Sequence, residues 1–160
     1  MHVFTSIAAN YLPKARVLAA SVKKFHPQST FHLVLSDDLP QGVDLSKEQF
    51  DSVIKAEDLD IPDFRSWSFK HAVVELCTGV KPFAFREIMK RYQAEKVIYL
   101  DPDTVVLSPL DSLIEKLDSA SILLTPHLTE PETDMQGVIS NEVCALQHGV
   151  FNLGFLLILS

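Results

Sequence analysis

The sequence has few cysteines, no long apolar segment and no cluster of basic residues. Its two cysteines, Cys77 and Cys144, lie far apart and outside any zinc-ligand spacing, so we expect two reduced, buried thiols. No window approaches the roughly 18 apolar residues of a membrane-spanning helix, and the N-terminus has no signal-peptide pattern. The net charge of −7, from 14 Lys and Arg against 21 Asp and Glu, argues against nucleic acid as the main partner. These absences predict a soluble, cytoplasmic protein with no transmembrane segment.

What the sequence does contain is a series of short apolar runs that alternate between strand and helix patterns. The 160 residues are 47% hydrophobic, which is enough for one domain over residues 1–160. Strand patterns cover residues 2–8, 31–35, 50–54, 97–100, 122–125 and 150–159, the last interrupted at Gly154. Helical patterns cover residues 13–25, two pieces between 66 and 92 divided at Thr78-Gly79, and a short helix to about 117 capped by Ser108. This alternation predicts an α/β fold with a mostly parallel sheet flanked by helices, and a ligand site at the carboxyl ends of the strands.

Two aspartates follow directly after the strand pattern at residues 97–100. If the chain stays extended there, the spacing puts the carboxylates of Asp101 and Asp103 on the same side, with Pro102 restraining the backbone between them. Two adjacent carboxylates repel each other and favour a cation, and Mn²⁺ or Mg²⁺ prefers such oxygen ligands together with substrate phosphates. A plain turn is the competing interpretation. The return to a strand pattern at residues 104–107 favours the metal site.

The same aspartates also fit a second chemistry. Four apolar residues followed by Asp-x-Asp-x-Thr resemble the first motif of haloacid-dehalogenase-type phosphatases, in which the first aspartate, here Asp101, is the phosphoryl nucleophile. In that family the motif usually ends the first core strand, and a second acidic motif follows it. Here 100 residues precede Asp101, and the acidic pair Asp37-Asp38 lies before it. The order along the chain therefore favours the metal site.

Four segments, taken in order, resemble nucleotide-sugar glycosyltransferases of the GT-A fold, close to family eight and its bacterial relatives. They are TSIAANY at residues 5–11, VKPF at 80–83, YLDPD at 99–103, which resembles the DxD motif, and VFNLGF at 150–155. The resemblance implies a Rossmann-like fold and a hexosyltransferase that uses a nucleotide-diphosphate sugar, with a UDP-sugar the expected donor. It also implies a saccharide or other glycan acceptor and retention of anomeric configuration. Sugar-nucleotide pyrophosphorylases have a related fold, but the sequence lacks a glycine-rich signature near the first strand.

The resemblance also implies roles for individual residues of these segments. The nucleoside would lie against five residues around the end of the first strand, with an aromatic ring stacked on the base: Thr5, Ser6, Ile7, Ala8 and Tyr11. Lys81, just before the helix start at Pro82, would bind the diphosphate. Asn152 and Gly154 would line the donor and acceptor cleft. Asp101 and Asp103 would hold Mn²⁺ or Mg²⁺.

Two further residues are weaker candidates for contact with the substrates. Asp37 could bind the ribose or the base, and His148 could face the acceptor.

The sequence ends directly after the apolar residues 155–159, before the position at which family members carry a third metal ligand, commonly a histidine. We therefore expect a domain truncated at its C-terminal end, whose exposed apolar surface would favour a homo-oligomer. A non-catalytic domain that binds nucleotide sugars or other proteins is the remaining alternative.

Overall fold

The sheet of the protein has six strands, three of its strand pairs being parallel and two antiparallel. A computed structural model describes residues 1–160 and gives the strand order β3-β2-β1-β4-β6-β5. The strands are β1 (His2–Ile7), β2 (Thr30–Leu35), β3 (Ser52–Lys55), β4 (Lys96–Leu100), β5 (Ile122–Pro126) and β6 (Phe151–Leu159). Strands β3, β2, β1 and β4 are mutually parallel, whereas β6 runs antiparallel to both β4 and β5. The predicted α/β fold with a mostly parallel sheet is therefore confirmed.

Helices connect the strands and cover both faces of the sheet. They are α1 (Leu12–Phe25), α2 (Phe64–Phe69), α3 (Val73–Gly79), α4 (Lys81–Tyr92), α5 (Asp111–Ile114), α6 (Met135–Gly137) and α7 (Cys144–His148), with a π-helical turn (Val138–Val143) between α6 and α7. Pro13 and Pro82 occupy the first turns of α1 and α4, where proline costs no hydrogen bond and its fixed φ suits a helix start. None of the helices has the length and apolar character needed to cross a lipid bilayer.

The side-chain alternation of β1 and β4 divides the core into two apolar clusters, one on each face of the sheet. On one face, Val3 and Ile7 of β1 belong to the same cluster as the buried stripe of α1, which comprises Leu12, Ala15, Leu18, Ala19 and Val22. On the other face, Phe4 of β1 and Tyr99 of β4 belong to the cluster that contains Ala84, Phe85 and Ile88 of α4. Helices α1 and α4 thus hold the central strands from opposite sides, and both begin near the carboxyl ends of those strands.

The structure differs from the expectations in three segments. Residues 64–92 form three helices rather than two, because the chain also breaks at residues 70–72. Ser108 does not cap α5: Leu110 is its N-cap residue and makes no side-chain cap hydrogen bond. Residues 135–148 are helical, although the sequence pattern predicts no helix there. The α-helices concerned, α2, α3, α5, α6 and α7, have seven residues or fewer, so that each makes too few turns for its own pattern to specify it.

Two further expectations are wrong. Residues 104–107 form no strand, because the chain turns at Pro102-Asp103 and leaves the sheet. Cys144 is exposed at the start of α7 rather than buried, whereas Cys77 is half-buried, and both thiols are free.

Candidate functional site

A cleft of about 240 Å³ lies beyond the carboxyl ends of β1 and β4. Its floor is the end of β1, one wall is formed by α3 and the start of α4, and the opposite rim is the turn that follows β4. The lining residues are Ser6, Ile7, Ala8, Asn10, Tyr11, Val73, Val74, Cys77, Thr78, Lys81, Tyr99, Asp101, Pro102 and Asp103. This is the edge at which open α/β sheets bind their ligands, so the cleft is the candidate site.

Asp101 lies at the centre of the polar contacts in the cleft. Its Oδ1 accepts a hydrogen bond of 2.5 Å from the Tyr99 hydroxyl and another of 3.3 Å from Lys81 Nζ. The Lys81 ammonium also donates to the carbonyl oxygen of Leu153 at 3.3 Å and lies 4.1 Å from the centroid of the Tyr99 ring. Burial and the neighbouring Asp101 carboxylate raise the pKa of Tyr99 far above its usual range, so the phenol stays protonated and remains a donor.

Gly154 leaves room for the Asp101 side chain. The Gly154 carbonyl accepts a hydrogen bond of 2.8 Å from the Asp101 N–H, which joins β6 to the end of β4. A Cβ atom at Gly154 would lie 2.5 Å from Asp101 Oδ2, closer than real contacts allow. The Asn152 side chain turns onto its own strand and accepts from the Gly154 N–H at 2.7 Å. Neither Asn152 nor Gly154 lines the cleft; Gly154 lies against the Asp101 carboxylate, which does, and Asn152 contacts Gly154.

Asp103 occupies a different environment from Asp101. The N–H of Thr104 donates to the Asp101 carbonyl at 3.0 Å, which closes a β-turn with Pro102 at its second position. The expected extended backbone between the two aspartates is therefore wrong. The turn directs Asp103 toward α1, where its Oδ2 lies 4.0 Å from Lys14 Nζ and its side chain is 60% exposed. Both aspartates still line the same cleft.

The end of β1 contributes a polar group without a partner. Ser6 lines the cleft and is buried, and its hydroxyl makes no hydrogen bond within the chain. Tyr11 is 38% exposed at the mouth, with Lys14 Nζ 4.4 Å from the centroid of its ring. Thr5 does not line the cleft, because it lies two residues before the end of β1 and its side chain is fully buried. Four of the five residues predicted for the nucleoside thus meet at the cleft.

The two weaker candidates lie outside the cleft. The Asp37 carboxylate accepts the N–H of Ala9 at 2.8 and 3.0 Å and so holds the loop that follows β1. His148 is exposed at the end of α7 and lines none of the cleft. Asp37 therefore stabilises the loop that follows β1, whereas His148 does not contact the cleft.

Among the residues in or beside the cleft to which sequence reasoning gave no role are Tyr99, Lys14 and Cys77. Tyr99 fits the apolar strand pattern, although the alternation of a strand places residues 99 and 101 on the same face. Lys14 follows Tyr11 by one helical turn, a spacing that brings their side chains together. Cys77 lines the wall formed by α3, and no local pattern marks it. Burial raises the pKa of the Cys77 thiol, which argues against a nucleophilic role.

The carboxylates of Asp101 and Asp103 suit a hard divalent cation as an incomplete ligand set. No group of three or more His, Cys, Asp or Glu side chains that could hold a metal occurs in residues 1–160. Magnesium and manganese sites of nucleotide-dependent enzymes commonly use one or two carboxylates and take further oxygens from substrate phosphates and water. The residues present therefore fit a cation that is held jointly with a diphosphate.

Comparison with protein families gives one match over nearly the whole chain. The sequence profile of "Glycosyl transferase family 8" matches residues 2–159. A search of curated proteins finds no match.

Comparison with solved structures finds the same fold in several glycosyltransferases. The galactosyltransferase LgtC, in complex with donor and acceptor sugar analogues, is 19% identical with a TM-score of 0.55, and the match covers 99% of this chain and 57% of that one. The glycosyltransferase GlyE of Streptococcus pneumoniae is 21% identical with a TM-score of 0.55, covering 98% of this chain and 33% of GlyE. The bifunctional glycosyltransferase WbbM is 15% identical with a TM-score of 0.54, covering 99% and 31%. The chain thus spans just over half of LgtC and about a third of the other two.

Proposed function

The chain belongs to glycosyl transferase family 8, and on that premise we propose that it forms the donor-binding part of a metal-dependent hexosyltransferase that uses a UDP-sugar or a similar donor. One observation carries the proposal: the end of β1 with Tyr11, the Lys81 ammonium and the carboxylates of Asp101 and Asp103 line a single cleft. Membership of the family favours this chemistry over phosphoryl transfer to Asp101.

The end of β1 and the start of α1 would bind the nucleoside. The Ser6 hydroxyl is buried at the cleft without a partner, and a polar group of a ligand would satisfy it. Tyr11 presents a half-exposed ring at the mouth of the cleft, where a base can stack on it. Both features are absent from an ordinary apolar crevice and support a ligand that has an aromatic face and hydrogen-bonding edges.

The diphosphate would lie between the start of α4 and the turn after β4. Lys81 is the first residue of α4, so its ammonium and the positive end of the helix dipole favour an anion at the same place. Asp101 and Asp103 would hold Mn²⁺ or Mg²⁺ together with the phosphate oxygens. When bound, the cation supplies charge neutralisation for the leaving nucleoside diphosphate. The protein's own contribution is to fix the two carboxylates and Lys81 around that position.

The proposal also includes the class of acceptor and the stereochemistry of the transfer. We propose a saccharide or another glycan as acceptor and retention at the anomeric carbon, as family membership implies. Donor hydrolysis in the absence of an acceptor, measured with a series of UDP-hexoses, would identify the sugar, because water then takes the place of the acceptor hydroxyl.

Calorimetric titration of UDP tests the core of the proposal. The wild-type chain is titrated with UDP in Mn²⁺ and then in EDTA, and the titration is repeated with Asp103→Asn, which removes one carboxylate charge without changing the size of the side chain. Asp111→Asn is the matched control, because Asp111 is exposed in the first turn of α5 and does not line the cleft. We expect tighter UDP binding in Mn²⁺ for the wild type and the control, and loss of that gain in Asp103→Asn.

Equal affinity in Mn²⁺ and EDTA would remove the metal from the proposal. Metal-dependent binding of equal strength in Asp103→Asn would remove Asp103 from the metal site. Binding of UDP without hydrolysis of any UDP-hexose would favour the non-catalytic alternative for this chain.

A further inference from the structure

We propose that Tyr99 is a positioning residue for donor binding: its hydroxyl fixes the Asp101 carboxylate, and its ring carries the Lys81 ammonium. The inference rests on the proposed function, because it assigns a role within the same cleft. It concerns a residue that precedes the aspartate pair and that would not itself bind the metal.

The strand geometry places Tyr99 where it can act on Asp101. Tyr99 is in β4 and Asp101 directly follows the strand, and the contacts of both with Lys81 place them on the face covered by α4. The phenol oxygen donates to Asp101 Oδ1 at 2.5 Å, a short hydrogen bond to an ionised acceptor. Tyr99 is 1% exposed, so the donor of this hydrogen bond is shielded from water.

The packing around Tyr99 requires its aromatic ring but not its hydroxyl. The ring centroid lies 5.0 Å from that of Phe4, which in turn packs edge-on against Phe85 at 4.7 Å. Such an aromatic cluster needs only a ring at position 99, and phenylalanine would fill the same space. The hydroxyl is the part that the packing does not require, and its hydrogen bond is to the Asp101 carboxylate.

The two carboxylate oxygens of Asp101 make different contacts. Asp101 Oδ1 accepts from both Tyr99 and Lys81, whereas Oδ2 accepts no hydrogen bond from the chain and lies against Gly154. Tyr99 therefore restrains the rotation of the carboxylate and leaves Oδ2 free of internal donors. Its ring also supports the Lys81 ammonium at 4.1 Å, so one side chain aligns the predicted metal ligand and the predicted phosphate cation.

The test uses Tyr99→Phe, with Tyr92→Phe as the matched control. Tyr92 ends α4, is half-buried against His32 and does not line the cleft. The first readout needs no nucleotide: the ¹³C resonance of the Asp101 carboxyl carbon at neutral pH, assigned by its loss in Asp101→Asn. The second readout is calorimetric titration of UDP in Mn²⁺ and in EDTA. Thermal unfolding of both variants monitors the fold.

We expect Tyr99→Phe to shift the Asp101 resonance and to weaken metal-dependent UDP binding roughly tenfold, which is about 1.4 kcal/mol, because the Asp101 carboxylate loses the donor that fixes it. Tyr92→Phe should change neither. An unshifted resonance would overturn the inference, as would a shifted resonance with UDP affinity equal to that of the wild type.

A failure of this inference alone gives a different result from a failure of the proposed function: the wild type then shows metal-dependent UDP binding, and Tyr99→Phe binds UDP equally well. If the wild type binds no UDP in either buffer while Tyr99→Phe still shifts the Asp101 resonance, the proposed function fails. Tyr99 is then only a structural partner of Asp101, which overturns its positioning role as well.

Discussion

Replacement of Lys81 by methionine should change two affinities in opposite directions. Lys81 Nζ lies 3.3 Å from Asp101 Oδ1, and the lysine side chain is 11% exposed. Methionine retains most of the apolar stem against the Tyr99 ring but removes the positive charge. Asp101 then loses its internal cation, which favours an added divalent ion, whereas a bound diphosphate loses the ammonium proposed to contact it.

The distance between the charges sets the size of the effect. Two unit charges 3.3 Å apart attract by about 5 kcal/mol at an effective dielectric constant near 20 and by about 1 kcal/mol in water. The Asp101 side chain is 39% exposed, so solvent screens the pair and the effect should lie toward the lower value. A change of about 1.4 kcal/mol corresponds to roughly a tenfold change in affinity.

The assay measures binding of Mn²⁺ alone and of UDP in saturating Mn²⁺ by calorimetry. For Lys81→Met we expect roughly tenfold tighter Mn²⁺ binding and at least tenfold weaker UDP binding. Lys70→Met is the control, because Lys70 is exposed after α2 and lies outside the cleft. Weaker binding of both ligands, with an unchanged unfolding midpoint, would refute the reasoning that Lys81 competes with the metal for Asp101.

Three further predictions concern the surroundings of the site and the far end of the sheet. In Gly154→Ala, a Cβ atom 2.5 Å from Asp101 Oδ2 should displace that carboxylate; calorimetry should show loss of metal-dependent UDP binding, and urea unfolding a destabilisation of about 1–3 kcal/mol. Burial lowers the pKa of His32 to about 4, below its usual value of 6.5. Between those pH values His32 is protonated in the unfolded chain but neutral in the folded chain, so the folded state loses stability as the pH falls. Urea titration should show the free energy of unfolding falling by about 2 kcal/mol from pH 7 to 5. His32→Gln should remove that part of the fall. Lys14→Gln should change UDP affinity and stability by less than about 1 kcal/mol, because the ammonium is half-exposed and 4.0 Å from Asp103; a larger loss of affinity would show that Lys14 contacts the ligand.

The parts of the fold that follow from local patterns were predictable from the sequence. The apolar runs of β1, β2 and β4 and the prolines that open α1 and α4 depend on residues close together in the chain. Residues 104–107 show the limit of that reasoning: their apolar pattern fits a strand, but the turn after Asp101 takes them away from the sheet. Whether an apolar run pairs with a neighbour depends on the backbone direction before it, which the run itself does not encode.

The candidate site was predictable as a set of residue types and much less as an arrangement. Asp101, Asp103 and Lys81 were identified and line one cleft. A ligand contact at Asn152 and Gly154 needs the same residue types as the contacts observed there, in which Gly154 leaves room for Asp101 and Asn152 accepts the Gly154 N–H. The sequence therefore does not distinguish the two interpretations. Such long-range contacts depend on the antiparallel pairing of β6 with β4.

The turn between Asp101 and Asp103 directs their two carboxylates toward different helices. In an extended strand both carboxylates would share one environment and repel each other. Instead Asp101 is paired with Lys81 on the α4 side, and Asp103 lies near Lys14 on the α1 side. Asp101 is held by internal donors, while Asp103 is largely exposed and has only a distant cation beside it. The segment thus combines a carboxylate held by internal donors with an exposed one, and both line the cleft in which we propose that a cation binds together with a diphosphate.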